Sequence, residues 1–185
     1  MKEALKGVPK PWLEIGVGTG RLAEKLGISF GVDPSEEMLR KAFERGTKVV
    51  RAVAKHLPFP SESFGGAAII VTLCFLDDPL KALKGCFHIL RKGGVLVLGM
   101  VPRESSWGRF YLKKKDEGHP FYSGAHFHTT QETINLSEQA GFELEAIFST
   151  LFEGPKECAR IRPYPPKPGW MKRAGFVCVK ARKPR

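Results

Sequence analysis

The stretch Leu13-Glu14-Ile15-Gly16-Val17-Gly18-Thr19-Gly20-Arg21 constrains this chain more than any other. A short apolar run enters three glycines at alternate positions, and a helical pattern, Leu22-Ala23-Glu24-Lys25-Leu26, follows. Glycine tolerates positive φ and lets a ligand approach the backbone, so the pattern predicts a tight strand-to-helix turn. In open α/β sheets such a turn lies at the carboxyl end of a strand, where ligands bind. The spacing also counts against one class. A dinucleotide fingerprint needs a third glycine after a two-residue gap, and counting from Gly16 that slot holds Arg21. A nicotinamide dehydrogenase is therefore the least favoured reading.

The rest of the chain alternates strand and helix signals. Trp12 to Ile15 reads as the first strand, and a helix runs to about Leu26. Ile28 to Val32 is the second strand, with Asp33 at its end; Ser35 caps the next helix, whose first turn holds Glu36 and Glu37, where the helix dipole favours acids. Lys48 to Val53 is the third strand. Ala67 to Leu73 is apolar and β-branched, as in a central parallel strand buried on both faces. Pro79 to Leu90 is helical, with Leu80, Leu83, Phe87 and Leu90 on one stripe, and Gly94 to Met100 is the fifth strand. Periodicity is lost from Pro102 to His128. Thr129-Thr130-Gln131-Glu132 is a capping-box start for a helix ending at Gly141. Phe142 to Phe148 and Phe176 to Lys180 are strands, and Glu153 to Gly169 is a proline-rich loop. The expected fold is α/β: a Rossmann-like, doubly wound, seven-stranded, mostly parallel sheet with an antiparallel last strand and helices on both faces. A chain of 185 residues suits a single domain, 1–185.

Glu14 two residues before Gly16-x-Gly18-x-Gly20 resembles the first motif of the class I S-adenosylmethionine-dependent methyltransferases. Asp33 stands seventeen positions after Gly16, where a carboxylate can accept hydrogen bonds from two ribose hydroxyls. Gly31-Val32-Asp33-Pro34-Ser35-Glu36-Glu37-Met38-Leu39 is similar to the second motif of the ubiquinone/menaquinone-biosynthesis type. Ala52-Val53-Ala54-Lys55-His56-Leu57-Pro58-Phe59 resembles that family's Gly-Asp-Ala-x-x-Leu-Pro-Phe, with Val53 in place of the adenine-touching Asp and the Ala54 N–H left to serve. Phe64-Gly65 replaces the family's Phe-Asp, and Leu90 to Leu96 matches its Leu-x-x-Gly-Gly-x-Leu. The resemblance runs from Leu13 to Met100, with a looser echo from Phe127 to Phe142. It implies S-adenosylmethionine as cofactor and S-adenosylhomocysteine as product. It also implies a cofactor-binding core over 12–100, with contacts from Glu14, Gly16, Gly18, Thr19, Gly20, Asp33, Pro34, Met38, Ala54 and Thr72. Glu14 either orders the turn or faces the ammonium group.

The acceptor side is less defined. Residues 101–128 and 153–170 are candidate lid insertions. Phe75 can lie near the activated methyl, where a cation–π contact is worth roughly 0.5–2 kcal/mol. Arg103, Trp107, Arg109 and Tyr111 are candidate acceptor contacts, although a charged surface helix would read the same way. Methyl transfer from a sulfonium is an in-line displacement that alignment and water exclusion can drive. A general base is needed only for a protonated nucleophile. No catalytic residue is assigned; His126 and His128 are the candidates. His126-x-His128 lacks a carboxylate or cysteine partner at ligand spacing, so no metal is expected.

The formal charge is +11, and from Lys156 to Arg185 there are ten Lys/Arg and one acid. Such a tail can attract nucleic acid or simply be a solvated face. The leading expectation is a methyltransferase acting on a small-molecule acceptor. An RNA methyltransferase is an alternative motivated by the tail, but Thr72-Leu73-Cys74-Phe75 is unlike an Asn-Pro-Pro-Tyr motif. A non-catalytic S-adenosylmethionine-binding regulatory protein is another, motivated by Val53 and Gly65. No apolar run is long enough to span a bilayer. Cys74, Cys86, Cys158 and Cys178 show no Cys-x-x-Cys spacing and read as free thiols. A cytoplasmic monomer or homodimer is expected. One asparagine and two glutamines among so many charges suggest a thermophilic source.

Overall fold

Alternation along two central strands decides the layers. The computed structural model describes residues 1–156 and 164–185; Cys158 lies outside them. In β4 (Phe64–Ile70), where every residue is buried, Ala67 and Ile69 enter one core while Ala68 and Ile70 enter the other. In β5 (Leu90–Met100), Leu96 and Leu98 face the first core, and Val95 and Val97 the second. A period of two with apolar residues at every position forces helices onto both faces. The first core is closed by α4 (Pro79–Ile89) and α6 (Thr130–Gln139), through Leu83, Cys86, Ile89 and Ile134. The second is closed by α1 (Lys2–Leu5), α2 (Arg21–Leu26) and α3 (Glu36–Glu44), through Leu5, Ala23, Leu39 and Ala42.

The order across the sheet is β3-β2-β1-β4-β5-β8-β6-β7. Here β1 is Trp12–Ile15, β2 Phe30–Asp33, β3 Lys48–Arg51, β6 Glu143–Thr150, β7 Lys167–Pro168 and β8 Phe176–Arg182. β1 to β5 are parallel, and β8 runs antiparallel between β5 and β6. Winding reverses between β1 and β4, which makes the end of β1 the switch point where such sheets bind ligands.

The sequence reading needs two corrections. Eight strands, not seven, are present among the described residues, because Lys167 and Pro168 pair with Ser149 and Phe148 inside the stretch read as loop. The rung is short and at the edge, where proline is tolerated. It is held by Ser149 Oγ, which donates to Gly169 O at 2.8 Å and accepts from Met171 N at 3.0 Å. The aperiodic stretch after Pro102 contains a helix, α5 (Ser106–Asp116). Ser105 Oγ caps it by accepting from Gly108 N at 2.9 Å. Gly108 is its one buried residue, which removes the apolar stripe that would have announced it.

The capping box before α6 forms as expected: Thr129 N donates to Glu132 Oε2 at 2.8 Å and Glu132 N to Thr129 Oγ1 at 3.1 Å. Gly65, where the family carries Asp, has a packing reason. A Cβ there would lie 2.0 Å from the carbonyl oxygen of Pro9 in the crossing N-terminal segment. Part of the basic tail serves the fold. Lys180 and Arg182 pair with Glu145 at 2.8 and 2.7 Å, and Lys183 Nζ donates to the carbonyls of Phe87 and Leu90 at 2.8 and 2.7 Å. Cys74, Cys86 and Cys178 are free. No helix among the described residues is long and apolar enough to cross a membrane.

Candidate functional site

The turn after β1 is tied to the end of β2. Gly16 N and Val17 N both donate to Val32 O, at 2.8 and 3.0 Å, and Gly20 N closes back on Val17 O at 2.9 Å. Gly18 and Gly20 have φ of +51° and +75°, a region L side chains avoid. Their surroundings differ. A Cβ on Gly20 would lie 2.8 Å from the Ala42 Cα on α3, whereas a Cβ on Gly18 would meet nothing within 4 Å. Gly20 is thus a packing glycine and Gly18 an open one on a cleft wall. Gly20→Ala is expected to cost about 2–4 kcal/mol, from left-handed strain plus overpacking against backbone. Gly18→Ala should cost only the strain, about 1–2 kcal/mol. Thermal unfolding checks the contrast, and equal shifts for the two variants would refute it.

Asp33 links the two strands. Its Oδ2 accepts from Gly18 N at 3.0 Å and its Oδ1 from Ser35 N at 2.9 Å. A carboxylate has about four lone-pair positions, so each oxygen keeps a position for another donor. Glu14, directly beneath, is 2% exposed. It accepts a hydrogen bond from the Ala23 backbone N–H in the first turn of α2, whose N-cap, Gly20, has no side chain to offer. The other oxygen, Oε2, has no partner among the described residues. Burial pushes the Glu14 carboxyl up to about 8. Of its two expected roles, this placement fits ordering the turn.

A cleft of about 530 Å³ opens over these residues. Its walls include Gly16, Gly18, Asp33, Pro34, Met38, Ala54, Thr72 and Phe75, eight residues singled out from sequence, together with Val53. Glu14, Thr19 and Gly20 are not on the wall; the Thr19 carbonyl accepts from Arg45, the C-cap of α3, at 3.0 Å. Thr72 Oγ1 donates to Ile70 O at 3.1 Å and packs where a Cβ on Gly16 would collide, 2.3 Å from its Cγ2. Val71 also lines the cleft at a φ of +55°, an outlier for a β-branched residue. Nothing in its sequence neighbourhood signals that conformation. Phe121, in the segment 101–128, reaches Phe75, ring centroids 5.1 Å apart and edge to face. Lys55 and Asp77, 3.6 Å apart, form part of the rim.

The other acceptor candidates lie elsewhere. Arg103 is held by Glu132 at 2.6 Å. Trp107 donates through Nε1 to Glu153 O at 2.7 Å. Tyr111 is packed among Trp107, Phe110, Tyr122 and Phe127, and Arg109 lines a separate hollow. His126 and His128 meet edge to face, ring centroids 4.8 Å apart, beside the cleft rather than on its wall, with His126 N donating to Cys74 O at 2.7 Å. Burial, then the neighbouring His126, holds the His128 imidazole below its ordinary pKa. Leu76, Asp77 and Asp78 also line the cleft and are not singled out from sequence, while Phe121 is one aromatic among several in its segment.

Comparison with known proteins decides the family. A methyltransferase-domain family matches residues 13–98. A Thermotoga maritima structure described as an S-adenosylmethionine-dependent methyltransferase and possible histamine N-methyltransferase is 43% identical. It superposes with a TM-score of 0.89 over 98% of this chain and 86% of that one. The chain belongs to the S-adenosylmethionine-dependent methyltransferases. Two uncharacterized relatives extend the family. A Methanocaldococcus jannaschii protein is 37% identical over 98% of this methyltransferase chain and 87% of its own. A Mycobacterium tuberculosis protein is 40% identical over 172 residues, 93% of this chain, which spans only 60% of that relative.

Proposed function

We propose that this methyltransferase binds S-adenosylmethionine in the cleft above Gly18 and Asp33 and transfers its methyl to a small-molecule acceptor arriving beside Phe75 and Phe121. The observation that carries the reading is the 3.0 Å bond between Gly18 N and Asp33 Oδ2, which puts open backbone and a carboxylate with spare lone pairs on one wall. The residues present suit the cofactor. Asp33 accepts from the ribose hydroxyls, and Pro34, Met38, Val53 and the Ala54 N–H bound an apolar slot for adenine. Gly16, Gly18 and Thr72 meet the methionine end. Asp33, Asp77 and Asp78 on the wall, against the single paired Lys55, suit a cation.

When bound, the cofactor supplies an electrophilic methyl on a sulfonium. The chain's task is then to bind, orient and keep water out. Phe75 and Phe121 do this with ring edges and faces that favour a flat acceptor. The Thermotoga maritima protein's description names histamine; we carry over the class, a small flat acceptor, and not the compound. Residues 12–100 are read as the cofactor core and 101–128 and 153–170 as lid insertions within one domain, 157–163 of the second lying outside the described residues. Cys74, Cys86 and Cys178, the free thiols among the described residues, support a cytoplasmic location.

Calorimetry with S-adenosylmethionine, S-adenosylhomocysteine and NAD tests the reading. The first two are expected to bind and NAD to give no heat. Preference for NAD, or silence with all three, would overturn it.

A further inference from the structure

Positive charge on this chain is unevenly used. Lys180, Arg182 and Lys183 are tied into the fold, whereas Lys167, Lys172 and Arg173 lie in sequence between β6 and β8, and Arg109 of α5 lines one hollow with Lys172 and Arg173. Among the described residues the side chains of Lys172 and Arg173 make no hydrogen bond or ion pair. Lys167 lies only over the Phe152 ring, 5.2 Å from its centroid, and Arg109 donates to the Glu104 carbonyl at 2.6 Å. These four cations line two hollows of about 390 and 870 Å³ that share Phe152, Lys172 and Arg173 and so form one groove. Two acids, Glu104 and Glu153, also line it; Glu104 Oε1 is taken by Thr130 N at 3.0 Å.

Exposed aromatic rings gather on the same segments. Tyr164, which lines the groove, and Trp170, on the same segment, are exposed, and Phe152 forms part of the wall. Clustered exposed rings mark a surface that meets a partner. Cations that track a backbone, interleaved with rings on which bases stack, are the chemistry of single-stranded nucleic-acid binding. An acidic peptide would leave the rings without stacking faces. A bilayer is flat, and this surface is concave and carries two acids. The groove shares no lining residue with the cleft.

We propose that the groove of Lys167, Lys172, Arg173 and Arg109 is a docking surface for a single-stranded nucleic acid, separate from the methyl-acceptor cleft. The test is fluorescence anisotropy with a labelled oligouridylate of about 12 nucleotides, within the span such sites occupy. Four phosphate contacts predict a log–log salt slope of about −3. Lys172→Ala/Arg173→Ala should weaken binding at least about tenfold and bring the slope to about −1.5. Tyr164→Ala should weaken it with the slope unchanged. S-adenosylmethionine binding, read by calorimetry, should stay at the wild-type value in each variant. Unchanged strand affinity in the double variant overturns the proposal, as does binding of phosphatidylglycerol vesicles or polyglutamate without binding of the strand. Labelled methyl appearing on the strand would instead overturn the small-molecule reading of the cleft and leave the groove standing.

Discussion

Asp33→Asn is expected to weaken S-adenosylmethionine binding on the order of a hundredfold or more, even though the side chains match in shape. Two hydrogen bonds to a charged acceptor are worth roughly 1.5–3 kcal/mol each, and every 1.4 kcal/mol is a factor of ten. Asparagine fails for a second reason. Both Asp33 oxygens already accept from backbone donors, Gly18 N and Ser35 N. An amide has one oxygen and one NH₂, so whichever way it turns, an N–H meets an N–H. The variant therefore loses the ribose acceptors and loosens the turn together. Asp33→Ala removes the acceptors without opposing donors, so its affinity loss should be similar and its thermal destabilisation smaller. Calorimetry and thermal unfolding on the three proteins check this. An asparagine variant with wild-type affinity would remove Asp33 from the cofactor site.

What could be read from sequence was what local chemistry fixes. Glycines at Gly16, Gly18 and Gly20 and an acid at Asp33 betray a turn and a strand end because few other residues serve there. The Thr129 capping box is legible for the same reason. What could not be read depends on partners distant in sequence. Arg103 looks like an acceptor contact until Glu132 is found 2.6 Å away. Trp107 looks available until the Glu153 carbonyl takes its N–H. Gly65 looks like a lost functional acid, yet the Pro9 carbonyl leaves no room for any side chain. α5 was legible only as the alternative of a charged surface helix, because glycine and lysines interrupt its apolar face, and β7 was hidden because two residues carry no periodicity. Val71 goes against propensity outright: a valine at positive φ is strained wherever it occurs, and strain of that kind concentrates at binding walls.

Stability is expected to fall as pH rises from about 4.5 to about 8, with Glu14 as a principal cause. The native carboxyl holds its proton up to about 8 because burial disfavours the charge, whereas an ordinary glutamate releases it near 4.5. Across that window the native state binds more protons than the unfolded one, so stability declines as pH rises. Glu14's contribution is full below about 4.5 and lost once pH passes about 8. At 1.36 kcal/mol per pH unit the loss is of order 5 kcal/mol, a large fraction of a domain's net stability. Glu14→Gln cannot ionise. Its amide oxygen can keep the bond from Ala23 N, and its NH₂ replaces a protonated Oε2 that has no partner among the described residues. The variant should match the wild type near pH 4.5 and exceed it by several kcal/mol at pH 8, flattening the profile. Urea denaturation at three pH values across the window measures both curves. A wild-type profile already flat there would mean that the second oxygen ionises against a cation or donor. In that case the turn carrying Gly18 would be held by a charge and not by a buried neutral acid.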